Sequence, residues 1–136
     1  MPILKSVGEV GKSVGSLKSV LNYVSRKDKK TDKVLTSGVG LDANVDKAFA
    51  EIMYNKRVYN KVNGKMYKHY IQSYSPEDNI TAEKAHQIAV KFAEENFLSR
   101  GFKCYVATHS DKDHIHTHFI MDNVNFENGL KYVELS

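Results

Sequence analysis

The chain has 136 residues, a length that predicts a single domain able to bury a core of its own. Its only cysteine, Cys104, cannot form an internal disulfide, and no run of residues reaches secretory-signal or membrane-span length, so we expect a cytoplasmic protein without a membrane partner. The net charge is +8 over residues 1 to 74 (14 basic, 6 acidic) and −4 over residues 75 to 136 (6 basic, 10 acidic), a distribution that suits either a polyanion such as nucleic acid or ordinary solvated faces.

The first half of the chain predicts three strands and two helices. Residues 2 to 7, 33 to 41 and 65 to 74 have the alternation or the aromatic and β-branched content of strands. The first helix carries Tyr23 and has apolar residues at helical spacing: Leu17, Val20, Leu21 and Val24. Asn44 is positioned to cap a second helix.

The second half predicts one more helix and a β-hairpin. Thr81 can cap the start of the helix, and Gly101, a residue type typical of helix C-termini, is predicted to end it. Residues 103 to 108 and 114 to 124 are then two strands joined by a turn over residues 110 to 113. The order β-α-β-α-β-α-β-β predicts an α+β fold with an antiparallel or mixed central sheet covered by helices. Residues 1–136 form one domain in this reading, and because residues 129 to 136 contain no clear finishing element, we expect the N-terminal part of a longer protein.

A histidine cluster lies on this predicted hairpin. Four of the six histidines and two aspartates fall within residues 109 to 118. In an extended strand, alternate side chains share a face, so the last three of these histidines point one way and their apolar neighbours the other. Several neutral imidazoles converging on one point indicate a divalent ion. The members of the cluster are His109, Asp111, Asp113, His114, His116 and His118.

Hairpin geometry separates the cluster into roles. His109 at the end of one strand can reach His116 and His118 on the next, and we predict that these three bind the metal and leave open coordination positions. Asp111 and Asp113 are placed to accept hydrogen bonds from ligand imidazoles, and His114 is an auxiliary residue. The remaining histidines, His69 and His86, are interpreted as ordinary packing residues. The spacing alone chooses neither the metal nor the reaction.

Three segments in order resemble the motifs of the relaxases, the mobilisation nucleases of conjugative plasmids and integrative elements, in their P-type mobilisation branch. Residues 21 to 24 with Lys30 and Thr31 are similar to the first motif, residues 69 to 77 and the following helix to the second, and residues 108 to 118 to the third. The residue between the paired histidines is usually apolar in the wider class of His-hydrophobe-His nucleases. Here it is Thr117, which we expect on an outward face, and the following Asp122 and Asn123 are given no role.

The resemblance implies site- and strand-specific nicking and rejoining of single-stranded DNA at an origin of transfer. Tyr23 is the implied nucleophile, forming a 5′-phosphotyrosyl link with help from a divalent metal, Mg²⁺ or Mn²⁺ in use with Zn²⁺ as another ion that binds. Lys30, Thr31 and Ser73 are the implied DNA contacts. A phenol is mostly protonated at neutral pH, and Asp111, His114 or a metal-bound hydroxide could accept its proton. Accessory relaxosome proteins and a coupling protein are the further partners that it implies.

Three alternatives remain open at this point. A replication initiator or transposase of the same fold would place its nucleophile after the histidine pair, where the only tyrosine is Tyr132. A shortened module of the same fold could bind DNA without cutting it. A small zinc hydrolase unrelated to nucleic acid would use the same histidines, although the basic N-terminal half argues against it.

Overall fold

The computed structural model describes residues 3–8, 11–26, 33–111 and 114–133. Two short 3₁₀ helices, Pro76–Asp78 and Leu98–Arg100, interrupt an order that is otherwise the predicted one. Among the described helices, none combines the length and apolar character needed to cross a bilayer. The main elements are β1 (Ile3–Ser6), α1 (Val14–Ser25), β2 (Lys33–Val39), α2 (Val45–Val58), β3 (Tyr67–Tyr74), α3 (Ala82–Asn96), β4 (Cys104–Asp111) and β5 (His114–Asp122).

Helix starts follow the predicted capping residues. The side chains of Asn44 and Thr81 each accept a hydrogen bond from the backbone N–H three residues later, at 3.1 Å in both cases, which satisfies a donor that has no partner inside the helix. The end of the third helix differs from the prediction. α3 stops at Asn96, and Gly101, with a φ of +95°, instead ends the following 3₁₀ helix.

Five antiparallel strands form one sheet in the order β1-β3-β5-β4-β2, which confirms the α+β fold and selects the antiparallel form of the predicted sheet. The hairpin of β4 and β5 is also confirmed. Because β3 flanks β5 and β2 flanks β4, both histidine-bearing strands are paired on each side. The histidine cluster therefore rests on the most constrained part of the sheet, where the ladder holds strand positions firmly.

Strand alternation divides the core between the two faces of this sheet. On the front face, α1 and α2 pack over buried residues of three strands, among them Tyr67, Tyr105, Ala107 and Ile120. On the rear face, α3 packs over another set, among them Cys104, Val106, Phe119 and Met121. His109, His116 and His118 alternate with rear-face residues and so belong to the front face, as the period of two predicted.

A buried ion pair ties α2 to the end of β5. The Lys56 ammonium lies 3.0 Å from an Asp122 carboxylate oxygen and 2.8 Å from the Asn123 amide oxygen, and the side chains of the ion pair are fully buried. Asn55 donates to the second carboxylate oxygen at 2.9 Å. Burial lowers the pKa of Lys56, and the adjacent carboxylate opposes that shift. Asp122 and Asn123, which received no role from the sequence, therefore join two elements of the core.

Candidate active site

The site begins with one row of side chains across the front face. In the antiparallel ladder His109 is directly opposite His116, and His116 is directly opposite Ser73 on its other side. Directly opposed residues project from the same face with neighbouring Cβ atoms. The sheet register therefore brings together side chains from β3, β4 and β5. Ser73, one of the predicted DNA contacts, is exposed in this row.

The three predicted ligands converge. The ring centroids of His109 and His116 are 5.3 Å apart, those of His109 and His118 5.2 Å, and those of His116 and His118 5.3 Å. Three imidazoles around one tetrahedral ion, with metal–nitrogen distances of about 2.1 Å, have ring centroids about 5 Å apart. As the side chains stand, no group of three or more His, Cys, Asp or Glu residues in the described part of the chain is arranged to hold a metal ion. The three rings thus have the spacing of a three-imidazole site, although their side chains are not arranged to hold an ion.

His109 is fixed by the helix that carries Tyr23. Its Nε2 lies 2.6 Å from the backbone carbonyl oxygen of Val24, in the last turn of α1, where carbonyls lack partners inside the helix. A carbonyl can only accept, so Nε2 carries the hydrogen and donates it. In the neutral ring Nδ1 then holds the lone pair, which is the state that a metal ligand requires.

His69 is a fourth histidine of the site, and the sequence interpretation as a packing residue missed it. Its Nε2 lies 2.9 Å from Nδ1 of His118, and both side chains are buried. Burial lowers the pKa of His69 to about 4. Burial, followed by the neighbouring imidazoles of His69, His116 and His109, lowers the pKa of His118 to about 3. Both rings are therefore neutral near pH 7, as ligation of a divalent cation demands.

Tyr23 stands at the edge of this cluster. Its ring centroid lies 6.4 Å from that of His118, with the two rings nearly perpendicular. The side chain is 55% exposed although it belongs to a helix whose Leu17, Leu21 and Val24 are fully buried. The helix therefore buries its apolar stripe and presents the phenol to solvent beside the histidines.

The remaining predicted site residues lie around this centre or outside the described residues. Asp111 is two residues beyond His109 on β4 and lies opposite His114 at the end of the hairpin where the chain passes from β4 to β5; His114 is exposed there. Lys30, Thr31 and Asp113 fall in the stretches that the structure does not describe.

Thr117 departs from the prediction. The sequence interpretation placed it on an outward face, but its side chain is fully buried beneath α3. Its hydroxyl lies 2.9 Å from that of Thr108, directly across the hairpin. The face opposite the histidines is covered by a helix, so a residue that alternates with them is enclosed and its hydroxyl must find a partner.

Comparison with known proteins identifies one family for this chain. Residues 23–134 match the family model described as "Relaxase: MobA/VirD2-like, nuclease domain". The chain is 30% identical over 139 aligned positions to the group II intron-interrupted relaxase LtrB of Lactococcus lactis subsp. cremoris, a match that covers 85% of the chain and 24% of that protein. It is 36% identical over 93 positions to a protein rlx of Staphylococcus aureus, covering 68% of the chain and 28% of the relative.

A second rlx protein of Staphylococcus aureus is 29% identical over 119 positions, which cover 88% of the chain and 36% of that protein. The chain thus spans between about a quarter and about a third of the length of these curated relatives. The family match extends over most of the chain, from the helix that carries Tyr23 to beyond the histidine strand. The chain therefore belongs to the family of MobA/VirD2-like relaxase nuclease domains.

Proposed function

We propose that this chain nicks and rejoins single-stranded DNA at an origin of transfer, with Tyr23 as the nucleophile. The observation that carries the proposal is the exposed phenol 6.4 Å, between ring centroids, from the buried His118 of the histidine cluster. A nucleophile next to a group of neutral nitrogen donors is the arrangement that phosphoryl transfer uses when a cation holds the phosphate. The basic N-terminal half supplies the attraction for a polyanion.

In the nicking step the phenol oxygen of Tyr23 bonds to the scissile phosphorus and the bond from phosphorus to the 3′ oxygen breaks. The phenolic proton passes to a base, and the departing 3′ oxygen takes up a proton to become a hydroxyl. We assign the base role to Asp111 or His114, which lie opposite each other at the end of the hairpin where the chain passes from β4 to β5. One phosphodiester replaces another, so the same residues serve the reverse reaction that rejoins the strand.

His109, His116 and His118 are the residues that we assign to a divalent metal. Their ring spacing and the neutral state of His118 support the assignment. When bound, the ion would polarise a non-bridging oxygen of the scissile phosphate. The ion proposed for the reaction is Mg²⁺ or Mn²⁺, and Zn²⁺ is proposed as another ion that binds at the same site.

The hydrogen bonds of the site suit this assignment. If His118 presents Nε2 to the ion, its Nδ1 carries a hydrogen and donates to Nε2 of His69, which fixes the ring as a hydrogen-bonded partner does in other metal sites. His109 is held in the same manner by Val24. Because Val24 follows Tyr23 in the chain, the hydrogen bond that orients His109 also fixes the position of the nucleophile's helix.

DNA contacts complete the proposal. Ser73 is exposed beside His116, where its hydroxyl can donate to a phosphate next to the scissile one. Lys30 and Thr31, a few residues after Tyr23, are proposed as further phosphate contacts on the basis of the first motif. Accessory relaxosome proteins and a coupling protein belong to the same proposal.

The structure gives no support to the replication-initiator alternative. Tyr132 packs edge-on against Phe102 at 5.1 Å between ring centroids and belongs to the hydrophobic cluster of the rear face. Its ring is therefore on the side of the sheet that α3 covers, opposite the histidines. A nucleophilic role for Tyr132 would need the residue to leave that cluster.

A labelling experiment tests the proposal. The chain is incubated with Mn²⁺ and a pool of single-stranded oligonucleotides that have constant ends and a randomised central segment. Covalent adducts are resolved on a denaturing gel. A 5′-phosphotyrosyl link keeps the DNA downstream of the nick, so a 3′ label should migrate with the protein and a 5′ label should not. The trapped strands, once sequenced, report the preferred site.

Matched variants identify the nucleophile. We expect the adduct to disappear in Tyr23→Phe and on addition of a chelator, and to persist in Tyr54→Phe, which alters a tyrosine that is 70% exposed on α2. An adduct that survives Tyr23→Phe and is lost in Tyr132→Phe would move the chain to the initiator class. Binding of the oligonucleotides without any adduct would indicate a DNA-binding module that does not cut.

A further inference from the structure

A chain of hydrogen-bonded side chains, called the polar thread below, lies behind the histidine cluster on the rear face of the sheet; it consists of Ser37, His86, Thr108 and Thr117. The Ser37 hydroxyl lies 2.7 Å from Nε2 of His86, and Nδ1 of His86 lies 2.8 Å from the Thr108 hydroxyl. The Thr108 hydroxyl lies 2.9 Å from that of Thr117. Three hydrogen bonds therefore connect β2, α3, β4 and β5 in a single line. The proposed mechanism uses none of these four side chains.

The thread lies directly beneath the proposed ligands. Thr108 is the residue before His109, and Thr117 is the residue between His116 and His118. Side chains of consecutive strand residues point to opposite faces, so each threonine hydroxyl on the rear face shares its backbone with a histidine on the front face. A change in the separation or tilt of Thr108 and Thr117 must also move the histidines attached to them.

Because its threonines are buried, the polar thread requires that each of its hydroxyls keeps a hydrogen-bond partner. Both threonine side chains are fully buried in a layer that is otherwise mostly apolar, among residues such as Val106 and Phe119. A hydroxyl left unpaired there would be destabilising because no water could replace its partner, whereas apolar contacts alone tolerate sliding and rotation. Burial also lowers the pKa of His86, so the ring is neutral near pH 7 and donates from one nitrogen while it accepts at the other. All three hydrogen bonds can therefore form at once in either tautomer of His86, because each hydroxyl can act as donor or acceptor.

We propose that His86 is a positioning residue for the histidine site: through the hydroxyls of Thr108 and Thr117 it fixes the spacing of His109, His116 and His118. This inference rests on the metal site of the proposed function. It assigns a role to the helix α3, which supplies no side chain to the front face. It also assigns a role to Thr117, whose hydroxyl would link the strand of His116 and His118 to Thr108.

The test measures Co²⁺ binding to the full chain by the visible absorption of the ion, which reports both affinity and coordination geometry. We expect His86→Ala to weaken Co²⁺ binding about tenfold and to change the absorption bands, as loss of a supporting hydrogen bond does at other metal sites. Gln87→Ala, at an exposed neighbouring position, should bind as the unaltered chain does. Urea unfolding of each variant measures stability separately.

Two amide substitutions separate positioning from simple packing. The Asn side chain places its amide near Nδ1 of His86, within reach of Thr108, whereas Gln places it near Nε2, toward Ser37. We expect His86→Asn to restore the affinity to within about threefold and His86→Gln to leave it close to that of His86→Ala. Thr117→Val, which keeps the volume and removes the last hydroxyl, should weaken binding even if His86→Ala fails to fold.

The outcomes are distinct. A folded His86→Ala or Thr117→Val chain with unchanged affinity and spectrum would overturn the positioning role while leaving the metal site intact. Equal rescue by Asn and Gln would overturn the path through Thr108. If the unaltered chain itself binds no Co²⁺, the metal site of the proposed function fails, and the role of His86 fails with it.

Discussion

The hydrogen bond between His109 and Val24 gives the imidazole two separable duties, as a proposed metal ligand and as a cap for the helix that carries Tyr23. We expect His109→Gln and His109→Ala to abolish the covalent adduct equally, because neither retains the imidazole. Their stabilities should differ. The terminal amide of Gln extends about as far as Nε2 and can still donate to the Val24 carbonyl, whereas Ala leaves this carbonyl without its donor.

The size of the difference follows from burial. His109 is 6% exposed and its Nε2 lies 2.6 Å from the carbonyl oxygen, so water cannot readily replace the donor. An orphaned buried carbonyl costs about 1–3 kcal/mol, and the space left by the imidazole adds to this in the Ala variant. We therefore expect His109→Gln to exceed His109→Ala by at least about 1 kcal/mol in the free energy of unfolding.

Urea unfolding monitored by circular dichroism, with chelator present so that metal binding does not contribute, provides the measurement. His114→Gln, at an exposed position on the neighbouring strand, controls for the general effect of replacing histidine with glutamine. Equal stabilities for the Gln and Ala variants would refute the capping role. An adduct formed at an undiminished rate by His109→Gln would refute the ligand role.

Three further predictions concern the scaffold. Lys56→Met should lower the free energy of unfolding by about 3–5 kcal/mol, because it strands the buried Asp122 carboxylate, and Asp122→Asn in the same chain should be less than additive in a double-mutant cycle; additivity within about 0.5 kcal/mol would show that the pair is not coupled. Burial lowers the pKa of His86, so below its ordinary value of 6.5 the unfolded chain binds the proton first and stability should fall with falling pH, with a shallower slope in His86→Gln by urea titration; parallel slopes would contradict this. Gly101→Ala should cost about 1–3 kcal/mol, because φ is +95° and a Cβ there would meet the Asn125 side chain, whereas Gly8→Ala, with no atom within 4 Å of the added carbon, should stay within about 0.5 kcal/mol by the same assay.

Local patterns account for most of the fold that was predicted. Asn44 and Thr81 act on backbone donors three residues away, so their capping role is visible in a short window of sequence. Alternation along β4 and β5 likewise assigns side chains to faces without knowledge of neighbouring strands. The end of α3 was wrong by several residues, because the 3₁₀ helix before Gly101 continues the helical pattern in a tighter form.

The part of the site that the sequence missed depends on which strands are neighbours. His69 reaches His118 only because β3 pairs with β5. The residues next to His69 in the sequence do not distinguish it from a histidine that only packs in the core. The Val24 partner of His109 is a backbone carbonyl, for which side-chain patterns carry no information. Thr117 was misplaced for a related reason: alternation gives the opposite face, but only the position of α3 shows that this face is buried.

These contacts change how the histidine run relates to the rest of the chain. Taken alone, the run has the spacing of a metal site, yet a metal site does not determine where a nucleophile must stand. The hydrogen bond from His109 to Val24 spans 85 positions of sequence and joins the residue after Tyr23 to a proposed ligand. That bond holds the backbone next to Tyr23 close to His109. In the proposed mechanism, the helix of the nucleophile and one metal ligand would therefore already be joined in the folded chain before DNA binds.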